Sequence, residues 1–254
     1  MGGRLEGRRA IVTGAGKGIG RAAALKLAAE GARVGCLDVD QAAAAGTAAA
    51  IADAAGAAVA LAADVADEAQ VERAVKDAEE AFGGLDTVVA NAGILLAGQD
   101  DRADRLDAGV WRRVLDVNLT GMFLTCKHGI RALLRTGSGA VVCTASPTGL
   151  YGLAPGLDAY SSSKAGVYGL IRVLANDYAA EGIRVNGVIP GYTDTPMNDY
   201  VQRPSAHERL IATIPLRRQG TAAEVANVIA FLASDEASYV TGAVWAADGG
   251  MTAI

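Results

Sequence analysis

The chain has 254 residues, a formal net charge of −5 and no block of like charges. This pattern argues against a nucleic-acid or anionic-membrane partner, because such partners bind basic surfaces. Hydrophobic residues make up 51% of the chain and charged residues 20%, which is typical of globular proteins. No linker-like composition interrupts the sequence, so we expect a single domain over residues 1–254.

The three cysteines, Cys36, Cys126 and Cys143, are widely spaced. Their odd number and their spacing predict neither a disulfide framework nor a metal site. Residues 1–9 lack the apolar segment of a signal peptide, and the alanine-rich stretch 42–63 is interrupted by Asp53 and two glycines, so we expect no membrane span. These features favour a metal-free protein of the reducing cytoplasm.

The first predicted strand, residues 10–13, leads into the glycine-rich segment Gly14-Ala-Gly16-Lys-Gly18-Ile-Gly20 and then into a helical pattern. Glycines let the backbone turn closely around a phosphate, whose charge is met by the N–H groups and the dipole of the helix start. A glycine cluster can also be only a tight turn, but its position after the first strand favours phosphate binding. Gly14, Gly18 and Gly20 have the spacing G-x-x-x-G-x-G, and Gly16 is an extra glycine within it.

The second predicted strand, residues 32–37, ends at Asp38. A carboxylate there can accept hydrogen bonds from both hydroxyls of an adenosine ribose and would repel a 2′-phosphate, so it favours NAD over NADP. The alternative is a helix N-cap, a role that also suits Asp40. Lys17 is the opposing observation, because a basic side chain in the glycine loop could pair with a 2′-phosphate or could be solvated.

Two more strands are predicted over residues 57–63 and 85–90, with a helical pattern over 68–82 between them. Three consecutive βα units favour parallel pairing and right-handed crossovers. The sequence therefore predicts an α/β fold, a doubly wound, Rossmann-like parallel sheet with helices on both faces. Ligands of such sheets bind at the carboxyl ends of the strands, where this chain has Asp64-Val65 and Asn91-Ala-Gly93.

A long helix is predicted over residues 110–134, with Asn118 between apolar neighbours. A buried amide needs a hydrogen-bond partner, and Asn118 alone is better explained by a structural bond than by catalysis. The fifth strand, residues 140–145, delivers Ser146 at its carboxyl end. A loop rich in glycine and proline then leads to a helix that begins near Asp158.

This last helix places Tyr160 and Lys164 four residues apart on one face. A fixed cation near a phenol favours the anionic form and lowers the pKa from about 10, so the hydroxyl can exchange protons near neutrality. The same spacing also occurs by chance in solvated helices. The pair alone therefore does not establish a catalytic role.

Asn118, Ser146, Tyr160 and Lys164, together with the glycine loop and Asn91-Ala-Gly93, resemble the short-chain dehydrogenase/reductase family in its single-domain branch. The resemblance covers nearly the whole chain. Residues 184–191 look like the sixth strand of that family and the turn beside the nicotinamide, and residues 240–250 look like its closing strand.

The resemblance implies hydride transfer between a nicotinamide cofactor and a secondary alcohol or ketone, matched by proton transfer at the oxygen. Tyr160 would be the general acid/base, and Ser146 would hydrogen-bond the same substrate oxygen. Lys164 would lower the pKa of Tyr160 and bind the nicotinamide ribose, and Asn118 would hold a proton-relaying water. The predicted cofactor contacts are Gly14, Lys17, Gly18, Ile19, Gly20, Asp38, Asp64, Val65, Asn91, Gly93, Tyr160, Lys164, Pro190, Gly191, Thr193 and Thr195.

Two residues depart from the family's pattern, namely Lys17 in the glycine loop and Pro147. Pro147 directly follows Ser146, which biases the serine toward extended backbone geometry and removes one N–H donor. This geometry is compatible with a strand end, but it could shift the serine hydroxyl.

The segments expected around the substrate are residues 94–96, the loop after Ser146 and a mobile lid over residues 192–214. They are mostly apolar, which suits a hydrophobic, cyclic secondary alcohol or ketone, although these leucines could simply pack the loops. Arg203, His207 and Arg209 in the lid could meet an acidic group or face water.

The tyrosine helix also carries Gly166 and Gly169, which permit close approach of another helix. Members of the resembled family commonly form tetramers through this helix and the one before it. A homotetramer is therefore expected.

The leading hypothesis is an NAD-dependent alcohol dehydrogenase or ketone reductase that acts on a small molecule. One alternative is an NADP-dependent ketoreductase of the 3-oxoacyl thioester type, which Asp38 argues against. Another is a non-catalytic dinucleotide sensor, which the full set of Asn118, Ser146, Tyr160 and Lys164 argues against because a sensor needs no proton donor.

Overall fold

The computed structural model describes residues 3–199 and 204–253. Within these ranges the strands are β1 (Arg9–Thr13), β2 (Arg33–Asp38), β3 (Ala58–Ala62), β4 (Thr87–Ala90), β5 (Gly139–Thr144), β6 (Ile183–Pro190), β7 (Thr193–Asp194), β8 (Gly220–Thr221) and β9 (Val244–Ala247). The α-helices are α1 (Gly18–Ala29), α2 (Gln41–Asp53), α3 (Glu68–Phe82), α4 (Ala108–Leu115), α5 (Gly121–Thr136), α6 (Asp158–Tyr178), α7 (Pro204–Thr213) and α8 (Ala222–Ala233).

The main sheet has the strand order β3-β2-β1-β4-β5-β6-β9, and every neighbouring pair is parallel. The chain builds outward from β1 to β3, returns to place β4 beside β1, and then builds outward in the other direction. This reversal opens a crevice at the carboxyl ends of β1 and β4, where ligands of doubly wound sheets bind. The predicted fold class is confirmed. The short strands β7 and β8 pair separately.

Alternating side chains divide the sheet into two buried faces. Ile11 packs in the core that α3, α5 and α6 cover, whereas its neighbours Ala10 and Val12 pack in the core that α1 and α8 cover. Both cores consist mainly of Val, Ile, Leu and Ala, as expected for strands that are covered on both sides. The carboxyl ends of the strands are therefore fixed between two packed layers.

Helix starts are defined by local capping. The Asp40 carboxylate accepts from the backbone N–H groups of Ala42 and Ala43 at 3.0 and 3.1 Å, which confirms its expected N-cap role. Helix α8, which the sequence analysis did not assign, begins with a capping box in which Thr221 and Glu224 bond each other's backbone N–H groups. The Thr-x-x-Glu spacing was the available signal for this helix.

The expected helix over residues 110–134 is confirmed, because α4, a π-helical turn and α5 follow one another without a gap from Ala108 to Thr136. A π-helical turn, Asp116–Thr120, separates α4 from α5 and contains Asn118. The apolar pattern continues across this turn, so periodicity alone did not reveal the local change from α-helical to π-helical geometry. A Cβ at Gly121, where α5 begins, would lie 2.7 Å from Val65 Cγ2, so this glycine lets α5 pack closely against the end of β3.

The predicted lid contains regular structure. Helix α7 begins at Pro204, a residue that fits the first turn of a helix because its missing N–H would have no helical partner there. The lid residue Arg203 lies outside the described residues, as does the rest of the segment 200–203.

None of the helices in the two described ranges is both long and apolar enough to cross a membrane. Over the same ranges, no group of three or more His, Cys, Asp or Glu side chains could hold a metal ion. All three cysteines are buried free thiols.

Candidate active site

The glycine loop depends on residues without side chains. Gly14 and Gly18 have φ values of 67° and 55°, which favour glycine. A Cβ at Gly20 would lie 2.0 Å from the carbonyl oxygen of Gly14. Among the described residues, no side chain caps the start of α1, and its first turn carries no acidic residue. The N–H groups of this helix start are therefore suited to an anion such as a phosphate.

The carboxylate of Asp38 is held against this loop. Its Oδ2 accepts from the N–H of Gly16 at 2.8 Å, and its Oδ1 accepts from the N–H of Asp40 at 3.0 Å. A Cβ at Gly16 would lie 2.9 Å from Asp38 Oδ2, so Gly16 is required for this contact rather than being an extra glycine. The next residue is Val39, 71% exposed, so no basic side chain directly follows Asp38.

Asn91 ties together the ends of three strands. The Thr13 hydroxyl oxygen accepts from the backbone N–H groups of Asn91 and Ala92 at 3.0 and 3.1 Å. The Asn91 side-chain amide donates to the Thr13 carbonyl at 3.0 Å and accepts from the Thr144 hydroxyl at 3.1 Å. Both polar groups of the Asn91 side chain thus have partners within the protein, and its contact with a ribose stays a prediction.

The predicted adenine contacts lie at the end of β3. Asp64 Oδ1 accepts from the N–H of Ala66 at 3.0 Å, and Asp64 Oδ2 accepts from the Arg113 guanidinium at 3.3 Å. Val65 is buried against Gly121. The structure brings both residues to the same edge of the sheet as the glycine loop.

One face of α6 carries Tyr160, Lys164 and Tyr168, each four residues after the last. Lys164 is buried, with the residue 3% exposed, and its ammonium donates to the carbonyl of Thr144 at 2.8 Å. Its Nζ lies 5.9 Å from the centroid of the Tyr160 ring. Burial lowers the pKa of Lys164 to about 8, because a low-dielectric site disfavours the charged form.

Ser146 lies at the end of β5, against this helix. Its backbone is extended, with φ −161° and ψ 149°, as expected for a residue before proline. Tyr168 donates its hydroxyl to the Ser146 carbonyl at 2.7 Å, and the hydroxyl oxygens of Ser146 and Thr148 are 3.1 Å apart. A Cβ at Gly149 would lie 2.6 Å from the carbonyl carbon of Lys164. This glycine therefore lets the serine loop pack directly on the backbone of α6.

The side chain of Asn118 links the π-helical turn to the end of β4 and to α6. Its Oδ1 accepts from the N–H of Ile94 at 2.7 Å, and its Nδ2 donates to the Ile94 carbonyl at 2.9 Å and to Ser163 Oγ at 3.1 Å. A Cβ at Gly93 would lie 3.3 Å from Asn118 Oδ1 and 3.6 Å from Lys164 Nζ. The missing side chain of Gly93 therefore leaves space between the amide and the ammonium.

The turn after β6 faces the glycine loop. A Cβ at Gly18 would lie 3.5 Å from Thr195 Cβ, and a Cβ at Gly191 would lie 2.5 Å from Asp248 Cα. The buried hydroxyl of Thr193 donates to the Gly191 carbonyl at 3.0 Å. The segment that carries the predicted nicotinamide contacts Pro190, Gly191, Thr193 and Thr195 thus meets the glycine loop where Thr195 lies beside Gly18.

Two residues near the site were missed by the sequence analysis. Tyr168 holds the Ser146 carbonyl, and its four-residue spacing from Lys164 was an available signal. Asp100 bonds the backbone N–H groups of Ala159 and Tyr160. No local pattern could reveal that contact, because its partners are about sixty positions away in the chain.

In the segment predicted to form a lid, His207 is joined to the loop after β6. Its Nδ1 lies 3.0 Å from the hydroxyl of Tyr192, and the two rings meet edge to face at 5.6 Å. The lid helix α7 is thus attached to the segment beside the predicted nicotinamide contacts.

Comparison with known proteins identifies the family. A family model described as enoyl-(acyl carrier protein) reductase matches residues 14–252. The chain is 44% identical, over the full length of both proteins, to cis-4-hydroxycyclohexanecarboxylate dehydrogenase from Sinomonas cyclohexanicum. The chain belongs to the short-chain dehydrogenase/reductase family and is an oxidoreductase.

Two other relatives differ in their named substrates. Cyclohexanol dehydrogenase from Acinetobacter sp. is 38% identical, with 99% of this chain and 98% of the relative covered. The 3-oxoacyl-[acyl-carrier-protein] reductase from Thermotoga maritima is also 38% identical, with 98% of this chain and 99% of the relative covered.

Solved structures share the whole fold. Levodione reductase superposes with a TM-score of 0.92 at 38% identity, covering 98% of both chains. A dehydrogenase structure from Beutenbergia cavernae with NADP bound at low occupancy also gives 0.92, at 37% identity and 98% coverage of both chains.

The family binds a nicotinamide dinucleotide, and the strand-end residues of this chain fit such a group. The tight turn from Gly14 to Gly20 needs glycine, since Cβ atoms at Gly16 and Gly20 would collide with Asp38 and with the Gly14 carbonyl. The start of α1 suits a phosphate, and the Asp38 carboxylate stands beside it, where a ribose can be bound.

Burial of Lys164 makes a prediction about stability and pH. Because burial lowers its pKa to about 8, the unfolded chain binds a proton between about pH 8 and 10 that the folded chain does not. Below pH 8 the folded protein bears the whole free-energy cost of burying the charged ammonium. This cost decreases as the pH rises above 8, because the buried group then loses its proton. The free energy of unfolding of the parent, minus that of Lys164→Met, should rise by about 2 kcal/mol from pH 7 to pH 10.

Urea unfolding at several pH values measures this difference. The exposed lysine variant Lys76→Met serves as the control for removing a lysine from a helix. A difference between the parent and Lys164→Met that stays flat, or falls, over this range would contradict a lowered pKa.

Proposed function

We propose that this protein is an NAD-dependent dehydrogenase and ketone reductase that acts on hydrophobic, cyclic secondary alcohols and ketones. The observation that carries the proposal is the buried Lys164 ammonium, held by the Thr144 carbonyl and 5.9 Å from the Tyr160 ring centroid. Ribose binding alone could use Lys164, but it does not need a phenol beside the ammonium. Reversible proton transfer at a substrate oxygen does.

Tyr160 is the proposed general acid/base. The nearby cation favours the phenolate, so the hydroxyl can give up a proton to a carbonyl oxygen and take it back from an alcohol. When bound, the nicotinamide would supply or accept the hydride. The proton of Tyr160 is then replaced from solvent, and the space left by Gly93 between Asn118 and Lys164 supports the proposed water at Asn118 as a relay.

Ser146 is the proposed hydrogen-bond donor to the same substrate oxygen. The bond from Tyr168 to its carbonyl and the close packing of Gly149 on α6 fix the serine relative to the helix that carries Tyr160. A donor held in place before charge develops stabilises that charge without reorganisation. Pro147 supports this rigidity by holding the serine extended.

The proposed cofactor contacts follow the crevice from the adenosine to the nicotinamide. Asp64 and Val65 contact adenine, Asp38 the adenosine ribose, and the loop from Gly14 to Gly20, including Lys17 and Ile19, the phosphates. Asn91 and Gly93 lie at the centre of the crevice, and Lys164 and Tyr160 contact the nicotinamide ribose. Pro190, Gly191, Thr193 and Thr195 contact the nicotinamide.

The preference for NAD rests on Asp38. Its carboxylate is fixed by two backbone N–H groups beside the glycine loop, where it would repel a 2′-phosphate. The neighbouring position is the uncharged Val39. The second candidate function, an NADP-dependent 3-oxoacyl thioester reductase, is favoured by the Thermotoga maritima relative and by the exposed Lys17 in the loop.

The substrate class rests on the relatives and on the site surroundings. Two relatives are named for cyclohexane-type alcohols. Leu150, Tyr151 and Leu153, which follow Ser146, are exposed apolar side chains, and such side chains suit an apolar ligand. We further propose cytoplasmic action on a small molecule, since the free thiols suit a reducing compartment.

The proposed activity predicts the result of a turnover screen. Cyclic and aliphatic secondary alcohols, and the matching ketones, are tested with the NAD and NADP couples side by side, following absorbance of the reduced cofactor. We expect turnover of cyclic substrates with the NAD couple and at least tenfold lower kcat/KM with the NADP couple. Preferential use of NADP with an acyl thioester would favour the second candidate, and no turnover of any alcohol or ketone would contradict the proposal.

Asp38→Asn is the matched variant for the cofactor arm of the screen. The amide keeps one of the two acceptor oxygens of the carboxylate and carries no charge, so it no longer repels a 2′-phosphate. The ratio of NADPH to NADH affinity, measured by fluorescence, should therefore rise by about tenfold or more. An unchanged ratio would assign the preference to another residue.

We propose a homotetramer that uses α5 and α6. The two glycines expected to allow helix approach differ: a Cβ at Gly166 would lie 2.7 Å from Leu119 Cδ2 of the same chain, whereas a Cβ at Gly169 would meet nothing within 4 Å. Gly169, with the exposed Phe123 and Val173 on these helices, is therefore the supporting feature. Light scattering at micromolar concentration should give a mass of about four chains of 25.7 kDa, and a monomer mass would contradict the proposal.

A further inference from the structure

The helix that carries Tyr160 is capped by a residue from a different part of the chain. Helix α6 begins at Asp158, and its own N-cap residue, Leu157, makes no side-chain cap. Asp100, in the loop after β4, supplies the missing acceptors. Its Oδ1 accepts from the N–H of Ala159 at 3.0 Å, and its Oδ2 accepts from the N–H of Tyr160 at 2.9 Å.

Asp100 is well suited to hold these groups still. Its side chain is buried, with the residue 5% exposed, and its own N–H donates to the Leu96 carbonyl at 2.8 Å. A second bond runs in the opposite direction, because Asp158 Oδ2 accepts from the N–H of Ala103 at 2.8 Å. The loop and the first turn of α6 are therefore joined at two points, in a long-range version of a capping box.

This joint fixes one member of the proposed catalytic pair relative to the other. Lys164 lies one turn deeper in α6 and is held by the Thr144 carbonyl. Tyr160 lies in the first turn, and the first N–H groups of a helix have no helical partners, so an uncapped first turn frays. Fraying would move Tyr160 away from Ser146 and Lys164 while leaving the lysine in place.

We propose that Asp100 is a positioning residue for the proton-transfer step. It does not touch the reacting atoms but holds the backbone of Tyr160 so that the phenol stays in reach of the substrate oxygen. Because Asp100 also donates its N–H to the Leu96 carbonyl, it connects Tyr160 to residues 94–96, which are expected to lie beside the substrate. This inference rests on the proposed function, in which Tyr160 is the acid/base.

The test compares Asp100→Ala and Asp100→Asn with the parent in steady-state turnover. The alanine variant loses both acceptors, and we expect kcat to fall about 10- to 100-fold, since a displacement on the order of 1 Å costs about that much. The asparagine variant keeps one acceptor oxygen, so its kcat should lie between that of the parent and that of the alanine variant. The dinucleotide Kd should stay within about threefold of the parent, because Tyr160 is only one of its many predicted contacts, so the loss falls mainly on kcat.

Asp107→Ala is the control for a general loss of helix capping. Asp107 also accepts from two backbone N–H groups, those of Gly109 and Val110 at the start of α4. This variant should lose comparable stability, measured by thermal unfolding, but keep the parent kcat. An equal loss of kcat in Asp107→Ala and Asp100→Ala, or a parent-like kcat in folded Asp100→Ala or Asp100→Asn, would overturn the proposal.

Hydrogen exchange separates failure of this inference from failure of the proposed function. The amides in the first turn of α6 should exchange faster in Asp100→Ala and at the parent rate in Asp107→Ala. Unchanged exchange in Asp100→Ala would overturn the positioning role by itself. Absence of turnover in the parent, with faster exchange in Asp100→Ala, would instead overturn the proposed function.

Discussion

The buried ammonium of Lys164 is the constraint on which the site depends. Burying a charge is unfavourable unless polar groups surround it, and this one is held by the Thr144 carbonyl at the end of β5. That bond ties α6 to the sheet at the edge where the glycine loop, Asp38 and Asn91 also lie. The cost of this burial is seen in the lowered pKa of Lys164, about 8. A structural lysine at the surface would serve stability better, so the arrangement favours a chemical role.

The contacts around this charge join three segments: helix α6, the loop after Ser146 and the π-helical turn. Tyr168 fixes the Ser146 carbonyl, Asn118 reaches Ser163 from the π-helical turn, and Asp100 holds the first turn of α6. Ser146 follows β5 and Asp100 lies in the loop after β4, so the parallel sheet sets the relative positions of these two contacts, whereas Asn118 reaches α6 from the neighbouring helical turn. These contacts fix the backbone around the proposed catalytic residues, whereas the apolar loops and the predicted lid are the parts that we expect to vary when one fold serves many substrates.

The sequence predicted those parts of the molecule that local patterns encode. Alternating strands and helices gave the doubly wound sheet, which is confirmed, and the ordered motifs from Gly14 to Lys164 indicated the family, which is also confirmed. The π-helical turn at Asn118 was missed because apolar periodicity continues through it. Asp100 was missed because its partners in α6 are remote in sequence and become neighbours only after the sheet has formed. The roles of the individual site residues stay predictions.

The central claim is that Tyr160 supplies the proton, and single-turnover kinetics of Tyr160→Phe test it most directly. The variant is mixed with saturating NADH and a cyclic ketone, and oxidation of the cofactor is followed by absorbance, with NADH affinity measured separately by fluorescence. We expect an NADH affinity close to that of the parent. The rate of cofactor oxidation should fall by a factor of about 10³ or more, in keeping with the loss of a general acid. A rate near that of the parent, at equal NADH affinity, would show that another group provides the proton and would contradict the account.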